Sequence, residues 1–320
     1  MTTYNYNSEL IKAMNEKLPN GTNLANTLID MLYLGKEAVY RRLRGEVPFT
    51  LAEAAMISQK MGVSLDKLAG TNVYSNAIFD LNIIRQTDPL ETYYSIVDNY
   101  VKIFRDLNHD PSSELCTSSN MIPQTFYLKY ELLSKFRMFK WIYQFEKIDI
   151  EKHFEDIEIV DKLLEKQREF VRESQEFQHT EYIWDNELFI YLINDIKYFA
   201  SVHLISQEYV QKLKKELLQL LNELEEIATR GTFKTGREVC IYISNINFEA
   251  TYSYIASSAY HISLVRVFAI NSFATRDEQV FNSVKEWIHS LKRHSTLISQ
   301  SGEIQRMMFF NEQKKVVDAL

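Results

Sequence analysis

Glycine and proline are scarce in this chain of 320 residues, with 8 and 5 occurrences. Because these two residues interrupt regular structure, their scarcity predicts long helices joined by few tight turns. Leucine, isoleucine, glutamate and lysine are frequent instead. The composition therefore predicts a mainly α protein.

Cysteine and long apolar runs are also rare. Cys116 and Cys240 are the only cysteines, and they fit no paired metal-ligand spacing, so we interpret both as buried small side chains. No stretch of about 18 apolar residues occurs, and no charged segment followed by an apolar run opens the chain. The sequence thus predicts no membrane span, no signal peptide and a cytoplasmic location.

The net charge of −7 is unevenly distributed. Residues 1–70 contain eight basic and seven acidic side chains, whereas residues 71–320 contain 28 basic and 36 acidic ones. Within the first part, residues 36–44 contain four basic side chains and one acid. A uniformly acidic protein would repel nucleic acid, but this local basic segment keeps that function open.

Three helices are predicted before Gly45. Ser8 is a suitable cap for the first helix, and Pro19-Asn20-Gly21 breaks it. A second helix starts at Asn23. A third runs from Lys36 to Arg44 and ends at Gly45, which can adopt the left-handed conformation that closes a helix.

Two more helices are predicted before residue 70. Thr50 and Glu53 have the spacing of a capping box, which begins the fourth helix. That helix stops at Gly62, and Ser64 caps a fifth one through Leu68. Residues 1–70 therefore form a first domain, followed by a linker at 71–88 and a larger region at 89–320.

Residues 8–70 resemble the lambda-repressor-like helix-turn-helix family, often called the XRE family. The resemblance rests on the helix order and on the segments Thr50-Leu51-Ala52-Glu53 and Met61-Gly62-Val63-Ser64-Leu65-Asp66-Lys67-Leu68. It implies that the second and third helices form a DNA-binding pair, with the third helix in the major groove. The family usually carries glycine in the tight turn where this chain has Tyr33.

The third helix has one polar face. At about 100° per residue, one arc of this helix contains Lys36, Glu37, Tyr40, Arg41 and Arg44. The opposite arc contains Ala38, Val39, Arg42 and Leu43. The ordinary alternative is a solvated helix face, which the helix order and the capping box make less favoured.

The resemblance assigns DNA contacts by position. Base-edge contacts would come from Lys36, Glu37, Tyr40 and Arg41. Phosphate contacts would come from Asn23, Arg42 and Arg44. Since Arg42 lies near the buried arc, pairing with an internal acid is the alternative for that residue.

Residues 89–320 are expected to be mostly helical. The predicted helices are 90–108, 126–145, 153–175, 187–203, 207–229, 276–292 and 302–320. Residues 77–84 are left open between a strand and a helical linker, and 109–119 are expected to be a loop. A small three-stranded antiparallel meander is predicted near residues 239–268.

One predicted helix carries a leucine-rich seam. Its apolar residues recur three and four positions apart at Val210, Leu213, Leu217, Leu220, Leu224 and Ile227. A dimer interface and internal packing are equally compatible with this spacing.

No catalytic motif is recognisable, so no enzyme activity, cofactor or metal is predicted. The nearest pattern is Glu-x-x-His, at Glu176/His179 and Glu286/His289, which places two metal ligands on one helix face. Solvated helix faces explain both pairs better. Segments such as Ser119-Asn120-Met121-Ile122-Pro123 and Lys140-Trp141 resemble parts of uncharacterised bacterial regulators, a likeness that implies no activity.

The leading hypothesis is a sequence-specific transcriptional regulator that binds double-stranded DNA as a homodimer. Its second region would dimerise or sense a small-molecule or protein effector. The first alternative is a protein-interaction module, such as an antitoxin or phage-type repressor, with secondary DNA binding. The second is an enzyme with an unrecognised site.

Overall fold

A computed structural model of the protein describes residues 5–18, 22–68, 77–84, 87–145, 153–268 and 270–320. The chain divides into two units, Met1–Asn76 and Ala77–Leu320. We call them unit 1 and unit 2. The predicted break at Pro19-Asn20-Gly21 and residues 71–76 of the predicted linker lie outside the described residues.

Unit 1 contains five described helices: α1 (Tyr6–Lys17), α2 (Leu24–Leu32), α3 (Lys36–Leu43), α4 (Leu51–Met61) and α5 (Leu65–Leu68). The predicted cap Ser8 lies inside α1. Asn5 caps this helix instead, because its side chain accepts from the backbone amides of Asn7 and Ser8. The predicted capping box of Thr50 and Glu53 is present at the start of α4, and Gly62 ends that helix at φ 68°.

The core of unit 1 is apolar and draws on its four longer helices. Met14, Leu28, Val39 and Ile57 are fully buried. Burying such side chains contributes about 1.5–3 kcal/mol each relative to exposure. These contacts hold α2 and α3 in place and leave the opposite face of α3 free.

Unit 2 is built on an eight-stranded mixed sheet in the order β1-β7-β6-β5-β2-β3-β4-β8. The strands are β1 (Asp80–Asn82), β2 (Glu114–Ser119), β3 (His179–Trp184), β4 (Val239–Ser244), β5 (Tyr252–Ala256), β6 (His261–Arg266), β7 (Ser272–Thr275) and β8 (Ser295–Leu297). Strands β2, β3 and β4 are parallel, and the other neighbours are antiparallel.

The helices of unit 2 are α6 (Pro89–Asn108), α7 (Gln124–Tyr127), α8 (Glu131–Phe145), α9 (Asp161–Ser174), α10 (Ile190–Ser201), α11 (Gln207–Arg230), α12 (Glu278–Arg293) and α13 (Glu303–Asp318). Parallel strands need crossover connections. Helices α7, α8 and α9 connect β2 to β3, and α10 and α11 connect β3 to β4. None of the helices in the described part of the chain is long and apolar enough to cross a membrane.

The sheet is covered on both faces. Side chains alternate along β3, so that Tyr182 and Trp184 join the large core shared with α6–α11 and α13. Ile183 points the other way and packs with Phe281 and Ile288 of α12. Unit 2 is therefore a layered α/β fold with its central strands buried on both sides.

The predicted fold class, mainly α with a small meander near residues 239–268, is wrong. The three predicted strands exist, but β4 pairs with β3 and β8, whereas β5 pairs with β2 and β6. Residues 109–119 contain the central strand β2 rather than only a loop, and β3 was not predicted. Strand β2 contains Thr117, Ser118 and Ser119, so it shows neither an apolar run nor alternation.

The leucine-rich seam of α11 is internal. All six of its side chains are at most 3% exposed, and they belong to the main core of unit 2. The seam spacing therefore reports packing inside this unit, and it offers no surface to a second chain.

Candidate nucleic-acid interface

Helices α2 and α3 are joined by a tight turn at Tyr33. This residue ends α2 in the left-handed conformation, at φ 55° and ψ 38°, where glycine is the usual residue. Its ring is 85% exposed. The chain thus makes the turn with tyrosine at the position where the family pattern has glycine, and Gly35 caps α3 with an ordinary extended backbone.

The two faces of α3 differ in burial as the helical arcs indicate. Val39 is fully buried, whereas Lys36, Glu37, Arg41 and Arg44 are exposed. Tyr40 is half-buried, and the Lys36 Nζ atom lies 5.9 Å from the centre of its ring. One exposed face therefore presents three cations, one acid and an aromatic edge.

Arg42 pairs with an internal acid, the alternative to a phosphate contact for this residue. Its Nε and Nη2 atoms donate to the Glu53 carboxylate at 3.0 and 2.7 Å, and Nη1 donates to the Ala38 carbonyl at 3.1 Å. The Arg42 side chain is 14% exposed. A guanidinium engaged in this way holds α3 against α4 rather than reaching outward.

Glu53 serves two helices at once. Its Oε2 atom also accepts from the Thr50 backbone amide at 2.8 Å, which completes the capping box of α4. Burial opposes the charge on Glu53, but the hydrogen bonds from Arg42 and Thr50 outweigh it and lower the pKa of this carboxyl. The ion pair and the helix cap are therefore one connected structure.

Arg41 and Arg44 are exposed but already have acidic neighbours. Arg44 Nε lies 2.6 Å from Glu46 Oε1, and its Nη2 lies 3.2 Å from Glu37 Oε1. Arg41 Nε lies 3.5 Å from the other oxygen of Glu46. The hydrogen bonds with Glu46 and Glu37 raise the pKa of Arg44, and the one with Arg44 lowers the pKa of Glu46.

Glu46 is thus a residue of this surface that sequence reasoning treated only as linker. It follows Gly45, whose φ of 75° turns the chain back, so that the Glu46 and Val47 amides both donate to the Arg41 carbonyl. Glu46 lies two residues after the basic end of α3, and this spacing could have indicated that it pairs with the arginines there.

Asn23 caps α2. Its side-chain oxygen accepts from the Asn26 amide at 3.2 Å, and its carbonyl accepts from the Thr27 hydroxyl at 3.1 Å. The residue is exposed. The amide groups of the first turn of α2 and the positive end of its dipole suit an anion such as a phosphate.

The two Glu-x-x-His pairs are not arranged as metal sites. His179 lies on β3, not on a helix, and bonds Glu181, while Glu176 lies 3.7 Å from Arg237. His289 of α12 lies 3.4 Å from the Tyr254 hydroxyl. Within the described residues, no group of three His, Cys, Asp or Glu side chains is close enough to hold a metal ion.

Comparison with known proteins adds no family to this geometry, since no family model and no curated protein matches the chain.

Proposed function

We propose that the protein is a sequence-specific DNA-binding regulator whose unit 1 inserts α3 into the major groove. The observation that carries the proposal is the asymmetry of this helix. Its inner face is fixed by Val39 in the core and by the Arg42–Glu53 pair, while Lys36, Tyr40 and Arg41 remain on the outer face. A rigid helix with long polar side chains on its outer face suits base-edge recognition.

The proposed roles divide the face between bases and phosphates. Lys36 and Arg41 donate to guanine edges, Glu37 accepts from cytosine, and Tyr40 contributes its hydroxyl or ring edge. Arg44, at the end of α3, and Asn23, at the start of α2, contact phosphates. Arg42 acts as a positioning residue.

The proposal includes a homodimer that binds a pseudo-palindromic DNA site. One unit with three outward cations has few phosphate contacts, and each contact is weakened by salt, so useful affinity calls for two copies. Because the α11 seam is internal, the dimer contact must lie elsewhere. Light scattering gives the mass in solution, and two-fold symmetry of the bound site gives the arrangement on DNA.

Selection of bound DNA from a random pool at physiological salt tests the proposal. The full-length protein is expected to enrich one sequence. Arg41→Ala should relax the preference at one base pair by about 1–3 kcal/mol, whereas Arg44→Ala should weaken all sites alike. Arg293→Ala, an exposed change on α12 of unit 2, serves as the control and should leave the selection unchanged.

Failure of the wild-type protein to enrich any sequence contradicts the proposal. Enrichment that survives both Arg41→Ala and Arg44→Ala with the same preference would move the contact surface away from α3.

A further inference from the structure

Two arginines of unit 2 converge on one uncharged atom. Arg137 of α8 places Nη2 3.4 Å from the Met121 sulfur, and Arg266, the last residue of β6, places Nη1 3.3 Å from the same sulfur. Among the described residues, neither guanidinium has an Asp or Glu oxygen within ion-pair distance of 4.0 Å. A thioether is a weak acceptor and supplies no counter-charge.

The absence of a carboxylate beside these cations in the described structure is energetically unusual. Burial lowers the pKa of Arg266 and the neighbouring charge of Arg137 lowers it further, which together outweigh the opposite effect of Tyr127 and Tyr93. The Nε atom of Arg137 is itself buried without an acceptor. Both side chains are half-buried, and a charge held partly out of water without a partner costs free energy that an opposite charge would offset. An anion supplied from outside would remove this cost.

Arg266 also lines a cavity of about 120 Å³ between α6, α7 and the sheet. Most of its wall is apolar or aromatic, including Val97, Phe104, Leu128 and Ile255. An apolar cavity of about 150 Å³ is large enough for benzene. At about 120 Å³ the space in this protein is somewhat smaller, so it suits an apolar body no larger than one aromatic ring.

The free hydrogen-bond donors of the wall are few. Gln124 lines the same cavity, and its Nε2 atom is buried without an acceptor. Other polar groups of the wall are already bonded: Thr117 with Ser253, Thr125 with Tyr182, Thr251 with Asn120 and Tyr100 with Asn82. The cavity thus offers the Arg266 guanidinium and the Gln124 amide, next to the Tyr93 hydroxyl, to a ligand that brings acceptors.

We propose that this cavity of unit 2 binds a small organic monocarboxylate, with its apolar body among the aromatic and aliphatic side chains and its carboxylate on Arg266 and Gln124. A planar carboxylate matches the guanidinium fork and accepts two hydrogen bonds. Arg137, which contacts the same Met121 sulfur, adds to the positive potential. The ligand is a natural effector class for a regulator, but its binding is tested without DNA and stands independently of the DNA-binding proposal.

The alternative to a bound carboxylate is a counter-charge from the protein itself. The Tyr127 hydroxyl is buried, and although burial opposes its ionisation, the charges of Arg137 and Arg266 outweigh burial and lower the pKa of Tyr127. A tyrosinate at this position would itself be the counter-charge. Its ultraviolet absorbance at neutral pH, compared between wild type and Tyr127→Phe, distinguishes the two cases.

Titration calorimetry of the full-length protein with three probes tests the proposal. Benzoate is expected to bind, whereas benzamide, which has the same body without the charge, and inorganic phosphate, which has charge without the body, should bind at least tenfold more weakly. Equal binding of benzoate and benzamide, no binding of benzoate, or a tyrosinate signal in the wild type that Tyr127→Phe abolishes overturns it.

Two variants and one control assign the site. Arg266→Met should weaken benzoate binding at least tenfold while leaving the thermal midpoint of the free protein equal or higher, since an unpaired charge is removed. Gln124→Met should weaken binding several-fold and remains informative if Arg266→Met does not fold. Arg293→Met, the same change at an exposed position of α12, should leave binding unchanged. Undiminished binding in either cavity variant contradicts the assignment.

Discussion

The Arg42 guanidinium donates two hydrogen bonds to the Glu53 carboxylate, at 3.0 and 2.7 Å, across the interface of α3 and α4. Their side chains are only 14% and 11% exposed. The same carboxylate caps α4 through the Thr50 amide. The orientation of α3, the proposed recognition helix, therefore depends on a charged pair on its inner side.

Arg42→Met is expected to destabilise unit 1 by about 2–4 kcal/mol, because it leaves the Glu53 carboxylate largely buried without its counter-charge. The three tryptophans of the chain, Trp141, Trp184 and Trp287, lie in unit 2, so tryptophan fluorescence does not report on unit 1. The stability of unit 1 is measured instead by hydrogen exchange of peptides from α3 and α4, detected by mass spectrometry.

The double variant Arg42→Met with Glu53→Gln separates pairing from packing. Glutamine keeps an acceptor for the cap but removes the stranded charge, so the double variant should be less destabilised than the sum of the single ones. Lys12→Met, an exposed change on α1, should stay within about 0.5 kcal/mol of wild type. Additive single effects would show that the charges are not coupled.

Tyr33→Gly is expected to stabilise unit 1 by about 0.5–1 kcal/mol. A side chain in the left-handed region costs about 1–2 kcal/mol, and part of this gain is offset by the greater freedom of glycine in the unfolded chain. The 85% exposed ring loses little burial. Tyr33→Ala is the matched control, since it removes the ring but keeps the Cβ atom. Equal stabilisation by both changes would refute the backbone explanation.

Glu46→Gln is expected to tighten DNA binding about two- to fivefold, because it releases Arg41 and Arg44 from an exposed acid. Fluorescence anisotropy with the selected site at one fixed salt concentration measures this change. Glu303→Gln alters the net charge equally but lies at the start of α13, so it should have no effect. Weaker binding by Glu46→Gln would mean that Glu46 orients the arginines productively.

The hydrogen-bonded pair of His179 and Glu181 makes the stability of unit 2 depend on pH. His179 Nε2 lies 3.0 Å from Glu181 Oε1. This hydrogen bond raises the pKa of His179 above its ordinary 6.5, so the stabilisation is present below 6.5 and is lost as pH rises through the folded value. His179→Gln should therefore flatten the decline of stability above pH 6.5.

Tryptophan fluorescence during urea unfolding, repeated at several pH values, measures how the stability of unit 2 depends on pH. His109→Gln, at an exposed position after α6, should preserve the wild-type decline. On the acid side, burial of Glu181 is outweighed by its hydrogen bonds from His179 and Lys292, which lower its pKa to about 2. The stabilisation of unit 2 by ionised Glu181 is therefore present above pH 4.5 and is lost as pH falls toward 2. A steeper decline above pH 6.5 in His179→Gln would contradict the assignment.

Local signals predicted the helices better than the sheet. The start of α2 at Asn23, the capping box at Thr50 and the stop at Gly62 lie where the sequence places them, because these signals depend on residues at most four positions apart. The predicted cap Ser8 is the exception, since Asn5 caps α1. The helix 90–108 agrees with α6, whose first residue is Pro89 and whose cap is Asp88. Predicted helix 126–145 is broken in the structure by a turn at 128–130, and predicted helix 153–175 is broken by a non-helical segment at 157–160 whose two ends, Ile157 and Val160, are extended.

The candidate interface was predictable in part. The inner and outer faces of α3 follow from helical geometry alone, and Val39 is buried as that geometry requires. The partners of Arg42 and Arg44 did not follow, because Glu53 and Glu46 approach only after the chain turns at Gly45. Arg137 and Arg266 are 129 positions apart, so no local pattern relates them to Met121.

The sequence by itself determined where α2 begins, where α4 begins and ends, and which side of α3 is apolar, since these depend on short-range hydrogen bonds and a fixed helical period. Only the tertiary structure decided that the polar segment Thr117 to Ser119 is a central strand, because its backbone is satisfied by β3 and β5 on either side. It also decided that the α11 seam is core and that two distant arginines share one sulfur. Those outcomes depend on partners far along the chain, and a single sequence carries no local signal for them.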